Sequence, residues 1–282
     1  MAKNLKRFKF TNKADKAISK TGWVIDIFAK IDTGAGNDTI TGTGSVTGID
    51  NSSLSKIDTG AGNDTITGTG IDAGINSFGK IDTGAGNDTI TGTGSDTGII
   101  SFSKIDTGAG NDIITGTGKD FGIFSYGNII TGAGNDIITG TGSDTGINGT
   151  IATGDGNDTI TGIGKDCGIA AAGIDTGAGD DIVDALKGGF EDGVIYLGSG
   201  NDTLKGFGDS VNVWGGVGTD KILFGEGTYI VSEYRIDSDT ETMYRSMYFN
   251  EFEQIGGANG GLFTFGNGGT LTVDSAGIAT FV

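Results

Sequence analysis

A fourteen-residue phrase, Ile31-Asp-Thr-Gly-Ala-Gly-Asn-Asp-Thr-Ile-Thr-Gly-Thr-Gly44, returns from Ile57, Ile81 and Ile105, and in altered form from Ile129, Ile151 and Ile174. Its centre is a tight turn that ends in aspartate. These aspartates stand at positions 38, 64, 88, 112, 136, 158, 181, 202 and 220, so the spacings are 26, 24, 24, 24, 22, 23, 21 and 18 residues. A period of this length constrains the fold more than any other feature. Each unit is too small to bury its own apolar face, and only its neighbours can cover it.

The apolar residues are sparse and fall in columns. One is Ile31, Ile57, Ile81, Ile105, Ile129, Ile151 and Ile174. A second is Ile40, Ile66, Ile90, Ile114, Ile138 and Ile160, and a third is Ile49, Ile75, Ile99, Ile123, Ile147 and Ile169. Within a unit they alternate with Thr or Gly, which is strand periodicity, and no helical spacing appears. The expected fold is all-β: a right-handed parallel β-solenoid (β-roll or β-helix) of about ten coils of ~24 residues. Residues 1–30 read as an N-terminal capping rung, with Asp15 in period 23 residues before Asp38. Residues 31–223 form the repeat array. Residues 224–282, aromatic and without period, read as a C-terminal β cap with strands such as Gly227–Val231 and Gly269–Val273.

Charge narrows the function. The chain carries −18. Residues 1–30 hold eight Lys/Arg against two Asp, which leaves −24 for the rest and argues against nucleic acid as a partner. The absence of His excludes Ser-His-Asp and Cys-His catalysis and His-containing zinc sites, and the single Cys167 excludes an internal disulfide. No apolar run is long enough for a transmembrane helix. The basic start, Met1 to Phe10, lacks the apolar core of a cleaved signal peptide.

The turn has its own chemistry. Glycines at alternate positions permit φ > 0 and let backbone carbonyls swing towards one point, to which the aspartate adds a carboxylate. Calcium wants six to eight oxygens, so one turn is too few and two stacked turns suffice. Burying three Ile per coil falls well short of the backbone entropy lost on ordering so many residues. Backbone hydrogen bonds recover part of this. One calcium ion in each of eight gaps would set +16 against the −24, so the ion is expected to be part of the fold.

Gly215-Gly-Val-Gly-Thr-Asp-Lys-Ile-Leu223 resembles the nonapeptide of the repeats-in-toxin (RTX, hemolysin-type) calcium-binding family, and the Thr-Gly-Ala-Gly-Asn-Asp-Thr-Ile-Thr units are similar to it, with Thr for the first Gly. The longer period is similar to arrays in cyanobacterial members. The resemblance covers about residues 31–223. It implies a calcium-loaded parallel β-roll with ions between turns. The implied metal site at the first turn is Gly34, Ala35, Gly36 and Asp38, with the Thr33 carbonyl beside them. The matching sets are Gly60, Ala61, Gly62 and Asp64; Gly84, Ala85, Gly86 and Asp88; Gly108, Ala109, Gly110 and Asp112; and Gly132, Ala133, Gly134 and Asp136. They continue through Gly154, Asp155, Gly156 and Asp158; Gly177, Ala178, Gly179 and Asp181; Gly198, Gly200 and Asp202; and Gly216, Gly218 and Asp220. The family further implies secretion or surface display through a type I secretion system, without a cleaved N-terminal signal.

The family coil has 18 residues and two equivalent turns, and this chain departs from both. Its second turn, Gly92-Thr-Gly-Ser-Asp-Thr-Gly-Ile99, carries a second aspartate row, Asp72, Asp96, Asp120, Asp144 and Asp166. Either it is a second calcium row or it stabilises the turn. A third set, Asp32, Asp58, Asp82, Asp106 and Asp175, lapses at Ile130 and Ala152 and reads as solvated. The column Phe28, Leu54, Phe78, Phe102 and Tyr126 reads as corner packing with rung-to-rung stacking, or else as an exposed aromatic stripe.

Three functions compete. The first is a calcium-binding secreted or cell-surface β-solenoid that folds and stiffens on calcium and acts as a spacer. The second is an ice-binding or adhesive module that uses the outward ladder Thr43, Thr69, Thr93, Thr117 and Thr141. The third, an enzyme on acidic polysaccharide, lacks cationic groups and a catalytic insert, so no enzymatic activity is expected.

Overall fold

A computed structural model of the chain describes residues 3–4, 13–19, 25–27, 30–238, 245–266 and 268–282. Strand dominates the described residues, and no helix occurs among them. The strands stack in parallel as a β-solenoid of about eight turns. The expected figure of about ten is approached when the capping rungs at the two ends are added.

One coil contains three strand segments, as in Lys80–Asp82, Thr89–Thr93 and Thr97–Ser101. Each pairs in parallel with its counterpart one period away and in strict register: Ile81 with Ile57 and Ile105, Ile90 with Ile66 and Ile114, Ile99 with Ile75 and Ile123. The Thr-x-Thr segments form a sheet of their own. The other two segments share a second sheet, because from Phe121–Ala133 onwards they fuse into single long strands, repeated at Thr145–Asp155 and Cys167–Ala178. Alternation follows from the pleat, which sends successive side chains to opposite faces. The three Ile columns point inward and are at most 4% exposed. At roughly 1.5–3 kcal/mol each, they form the stack's continuous core.

The Thr-Gly-Thr-Gly stretch marks where two strands of one coil close on each other. A Cβ on Gly92 would stand 2.3 Å from the Gly98 carbonyl oxygen, and one on Gly98 would stand 2.2 Å from the Thr117 nitrogen. No side chain fits this pinch, which accounts for both glycines without reference to metal.

Polar ladders run beside the apolar ones. Buried Thr33, Thr59, Thr83, Thr107, Thr131 and Thr153 each donate a hydroxyl hydrogen bond to the carbonyl of the next threonine, at 3.0–3.3 Å. On the outside, Asp58 and Asp82 are not freely solvated as the sequence suggested. Lys30 bridges Asp32 and Asp58, Lys56 bridges Asp58 and Asp82, Lys80 bridges Asp82 and Asp106, and Lys104 closes on Asp106, at 2.7–3.1 Å. Lys-x-Asp sets both charges on one face of the strand, and stacking in register alternates their signs. Burial raises the Asp58 and Asp82 carboxyls, but hydrogen bonds from the lysines outweigh it and leave both lowered. The ladder stops where Ile130 and Ala152 take the aspartate's place.

The aromatic column does stack: Phe78 on Phe102 at 4.4 Å, and Phe102 on Tyr126 at 5.1 Å. It is also exposed, 43% at Phe78 and Phe102 and 69% at Tyr126, so both halves of the expectation apply. Phe28 lies outside the described residues. At the N-terminal end, Lys16–Ile18 pairs with Thr39 to Thr41 and places Asp15 in step with Asp38. Cys167 is buried, and burial pushes its thiol up to about 11, so it is not a ready nucleophile.

At the C-terminal end, parallel stacking continues past the last nonapeptide. Ser246–Asn250 pairs with Val211 to Trp214, and Gln254–Gly257 with Lys221 to Phe224. Pairing then turns antiparallel. Gly227–Val231 lies between Arg235–Ser238 and Gly269–Val273, and Gly260–Thr264 folds back on Gln254–Gly257. Antiparallel strands end the repeat, so the last coil presents no open parallel edge.

Candidate metal centre

Each turn is built on two residues at positive φ. In the third turn these are Gly84 at 96° and Gly86 at 134°, a region that L side chains rarely adopt. The glycines are also required by contact. A Cβ on Gly86 would stand 2.1 Å from the Gly62 carbonyl oxygen of the coil below. Carbonyls therefore face the adjacent turn. Several of them already accept inter-coil hydrogen bonds: Ala85 N–H to Gly60 at 2.9 Å, and Gly62 N–H to Ala85 at 2.7 Å. A carbonyl has two lone pairs, so each keeps one for another partner.

The aspartates form a ladder buried to 1% exposure or less. Each amide donates to Oδ1 of the next aspartate: Asp38 to Asp64, Asp64 to Asp88, Asp88 to Asp112 and so on to Asp202 and Asp220, at 2.7–2.8 Å. The other oxygen is the unusual one. Oδ2 of Asp38, Asp64, Asp88, Asp112, Asp136, Asp158, Asp181, Asp202 and Asp220 is buried without a hydrogen-bond partner among the described residues. A buried, unpaired anionic oxygen is costly, and here it recurs nine times in one line.

Proton affinities record the same cost. Burial, reinforced by neighbouring aspartates, pushes Asp88 and Asp158 up to about 6 and Asp202 to about 7. Asp64, Asp112, Asp136, Asp181 and Asp220 are raised for the same first cause. Carboxylates stacked at the ~4.8 Å strand spacing repel by on the order of 3 kcal/mol per pair at an effective dielectric of ~20. A divalent cation between coils removes both penalties. Among the described residues no group of three or more Asp, Glu, Cys or His side chains converges. Any cation here must draw most of its oxygens from the backbone. Hard oxygen donors around a carboxylate suit calcium, so the residues present fit this ion.

A second ladder lies on the rim, and sequence reasoning missed it. Asn63 N–H donates to Asn37 Oδ1 at 2.9 Å, Asn87 to Asn63, Asn111 to Asn87, Asn135 to Asn111 and Asn157 to Asn135. Asp180 and Asn201 continue it. It runs opposite to the aspartate ladder: there the earlier coil donates, here the later one. The signal was the Asn that precedes nearly every aspartate of the row.

The second aspartate row differs. Asp72, Asp96, Asp144 and Asp166 are exposed and Asp120 is half-buried, and none has a buried unpartnered oxygen. The features that distinguish the first row are missing from the second.

The RTX calcium-binding nonapeptide repeat model matches residues 30–45, 56–70, 80–97, 103–120, 128–145, 143–162, 187–222 and 196–231, more than half of the chain. No curated protein matches it, and no solved structure does. With the turn, its carboxylate ladder and this match together, the chain belongs to the RTX calcium-binding nonapeptide repeat family, as a calcium-binding repeat protein with a β-solenoid fold.

Proposed function

We propose that the chain is a secreted or cell-surface spacer whose folding and rigidity are set by calcium held between successive turns. The observation that carries this reading is the line of nine buried, unpartnered Oδ2 atoms. In this reading Asp38 and its eight counterparts supply one carboxylate oxygen per turn. The Gly, Ala and Asp backbone of the same turns (Gly34 to Gly36 and its repeats) supplies carbonyls. The second row, Asp72 to Asp166, holds its turns without an ion. Calcium would contribute charge compensation and cross-linking. Low-calcium surroundings would leave a glycine-rich acidic chain with too little apolar burial to fold. Family members are typically extracellular, where calcium is plentiful. A circular dichroism titration tests the proposal: strand signal should appear with calcium and vanish with a chelator. Strand signal indifferent to both would sink it.

One observation favours a second reading. The outward residues of the Thr-x-Thr sheet align across coils as Thr41, Thr67, Thr91, Thr115, Thr139 and Thr161, flanked by Thr43, Thr69, Thr93, Thr117 and Thr141. In register, these make a regular hydroxyl and methyl lattice of the kind an ice or glycan surface could match. Exposed Ile113 and Ile137 interrupt the neighbouring column of Thr39, Thr65, Thr89 and Thr159, so it ranks second. Thermal hysteresis in the presence of calcium would bring it to the front.

A further inference from the structure

The aspartate ladder does not stop at the last repeat. The amide of Asp220 donates a 2.7 Å hydrogen bond to Oε2 of Glu253, as each earlier aspartate does to the next one's Oδ1. Register makes the two residues equivalent. Asp220 immediately precedes Lys221–Phe224, Glu253 immediately precedes Gln254–Gly257, and these strands pair Lys221 with Gln254 and Ile222 with Ile255. Glu253-Gln-Ile255 thus repeats Asp220-Lys-Ile222 one coil on, with the longer side chain in the aspartate's place. It escaped the period because 33 residues separate the two, and the hairpin of Gly227–Val231 and Arg235–Ser238 fills the interval.

Two more observations meet at the same point. Oδ2 of Asp220 is fully buried and unpartnered, like those within the array. Beside it, a Cβ on Gly215 would stand 2.8 Å from that Oδ2 and 2.1 Å from the carbonyl oxygen of Glu251. Glu251 itself is held at φ 59°, a rare conformation for a residue with a side chain, and its carbonyl is directed at this spot. The equivalent positions in the first coils are Thr33, Thr59 and Thr83. Only here does glycine stand in their place, where cap and array oxygens crowd together.

We propose that a further calcium site lies between the Asp220 turn and the C-terminal cap, with the Asp220 and Glu253 carboxylates and the Glu251 carbonyl among its ligands, so that the cap docks on the array through the ion. This rests on the calcium reading of the array and adds a site beyond the gaps between its nine turns. The cap then supplies what the array lacks at its open end, an acidic residue in register.

The test compares the full chain with Glu253→Gln and, as a control, Glu226→Gln, an exposed cap carboxylate outside the proposed ligand set. Isothermal titration with calcium counts the ions, and hydrogen exchange reports protection of residues 246–264. The expected result for Glu253→Gln is the loss of one bound ion and of calcium-dependent protection in 246–264. Calcium-induced strand signal from the array should persist, and Glu226→Gln should match the parent. An unchanged ion count and unchanged cap protection in Glu253→Gln would overturn the proposal and leave the array reading intact. A parent chain that binds no calcium would overturn both.

Discussion

At the residue scale, the aspartates of the main row carry two roles on two oxygens. Oδ1 closes the backbone of the coil before it, and Oδ2 is buried without a hydrogen-bond partner among the described residues. The roles separate under substitution. Asp112→Asn keeps an acceptor for the Asp88 amide but removes a buried charge. With calcium present the variant should lose stability, by on the order of 1–3 kcal/mol. Under a chelator it should be at least as stable as the parent, because it no longer buries an unpaired anion. Urea melts in both conditions read this reversal of sign. An equal loss in both would make Asp112 a structural residue only.

At the element scale, stacking in register turns one local choice into a column. Ile on Ile gives the core, Thr on Thr the inner polar ladder, and Lys over Asp an alternating string of ion pairs. Exposed pairs are worth little singly, so the string sets register more than stability. Glycine inverts its usual role here. Gly inside a strand normally costs stability relative to Ala. Gly92→Ala should nonetheless destabilise the protein by about 1–3 kcal/mol, because its Cβ would meet the Gly98 carbonyl at 2.3 Å. Thermal melts with saturating calcium, set against Ile90→Val at about 0.5–1.5 kcal/mol, check this.

At the scale of the whole molecule, the buried row ties folding to protons and, under the calcium reading proposed above, to calcium as well. These carboxyls are raised on folding, Asp88 and Asp158 to about 6 and Asp202 to about 7, from an ordinary 3.8. The folded chain therefore binds more protons than the unfolded chain between about pH 4 and pH 7. Stability without calcium is greatest at the acidic end of that window and falls as pH rises through 6 to 7. The lysine-bridged Asp58 and Asp82 are lowered and act in the opposite sense, so their contribution is lost as pH falls below 3.8. Strand content under a chelator should rise on acidification from pH 7 to about 5. Apparent calcium affinity should fall over the same interval, since protons and the ion compete for the same oxygens. Paired circular dichroism and calcium titrations at pH 5, 6 and 7 measure both; parallel trends would contradict the competition.

The β-solenoid, its three inward Ile columns, the strands at Gly227–Val231 and Gly269–Val273 and the glycine-aspartate turn were all legible in the chain. A repeated pattern in a stacked fold specifies its own neighbours: what recurs at one period must lie against itself. Three things were not legible, and each depends on distances between segments that no local pattern encodes. The Gly92–Gly98 pinch requires the closeness of two strands in one coil. The division of labour between Oδ1 and Oδ2 requires knowing which oxygen the neighbouring amide reaches. Glu253 takes the next rung of the ladder only because a hairpin inserts between it and Asp220, which breaks the period in sequence while the strands keep their register in space.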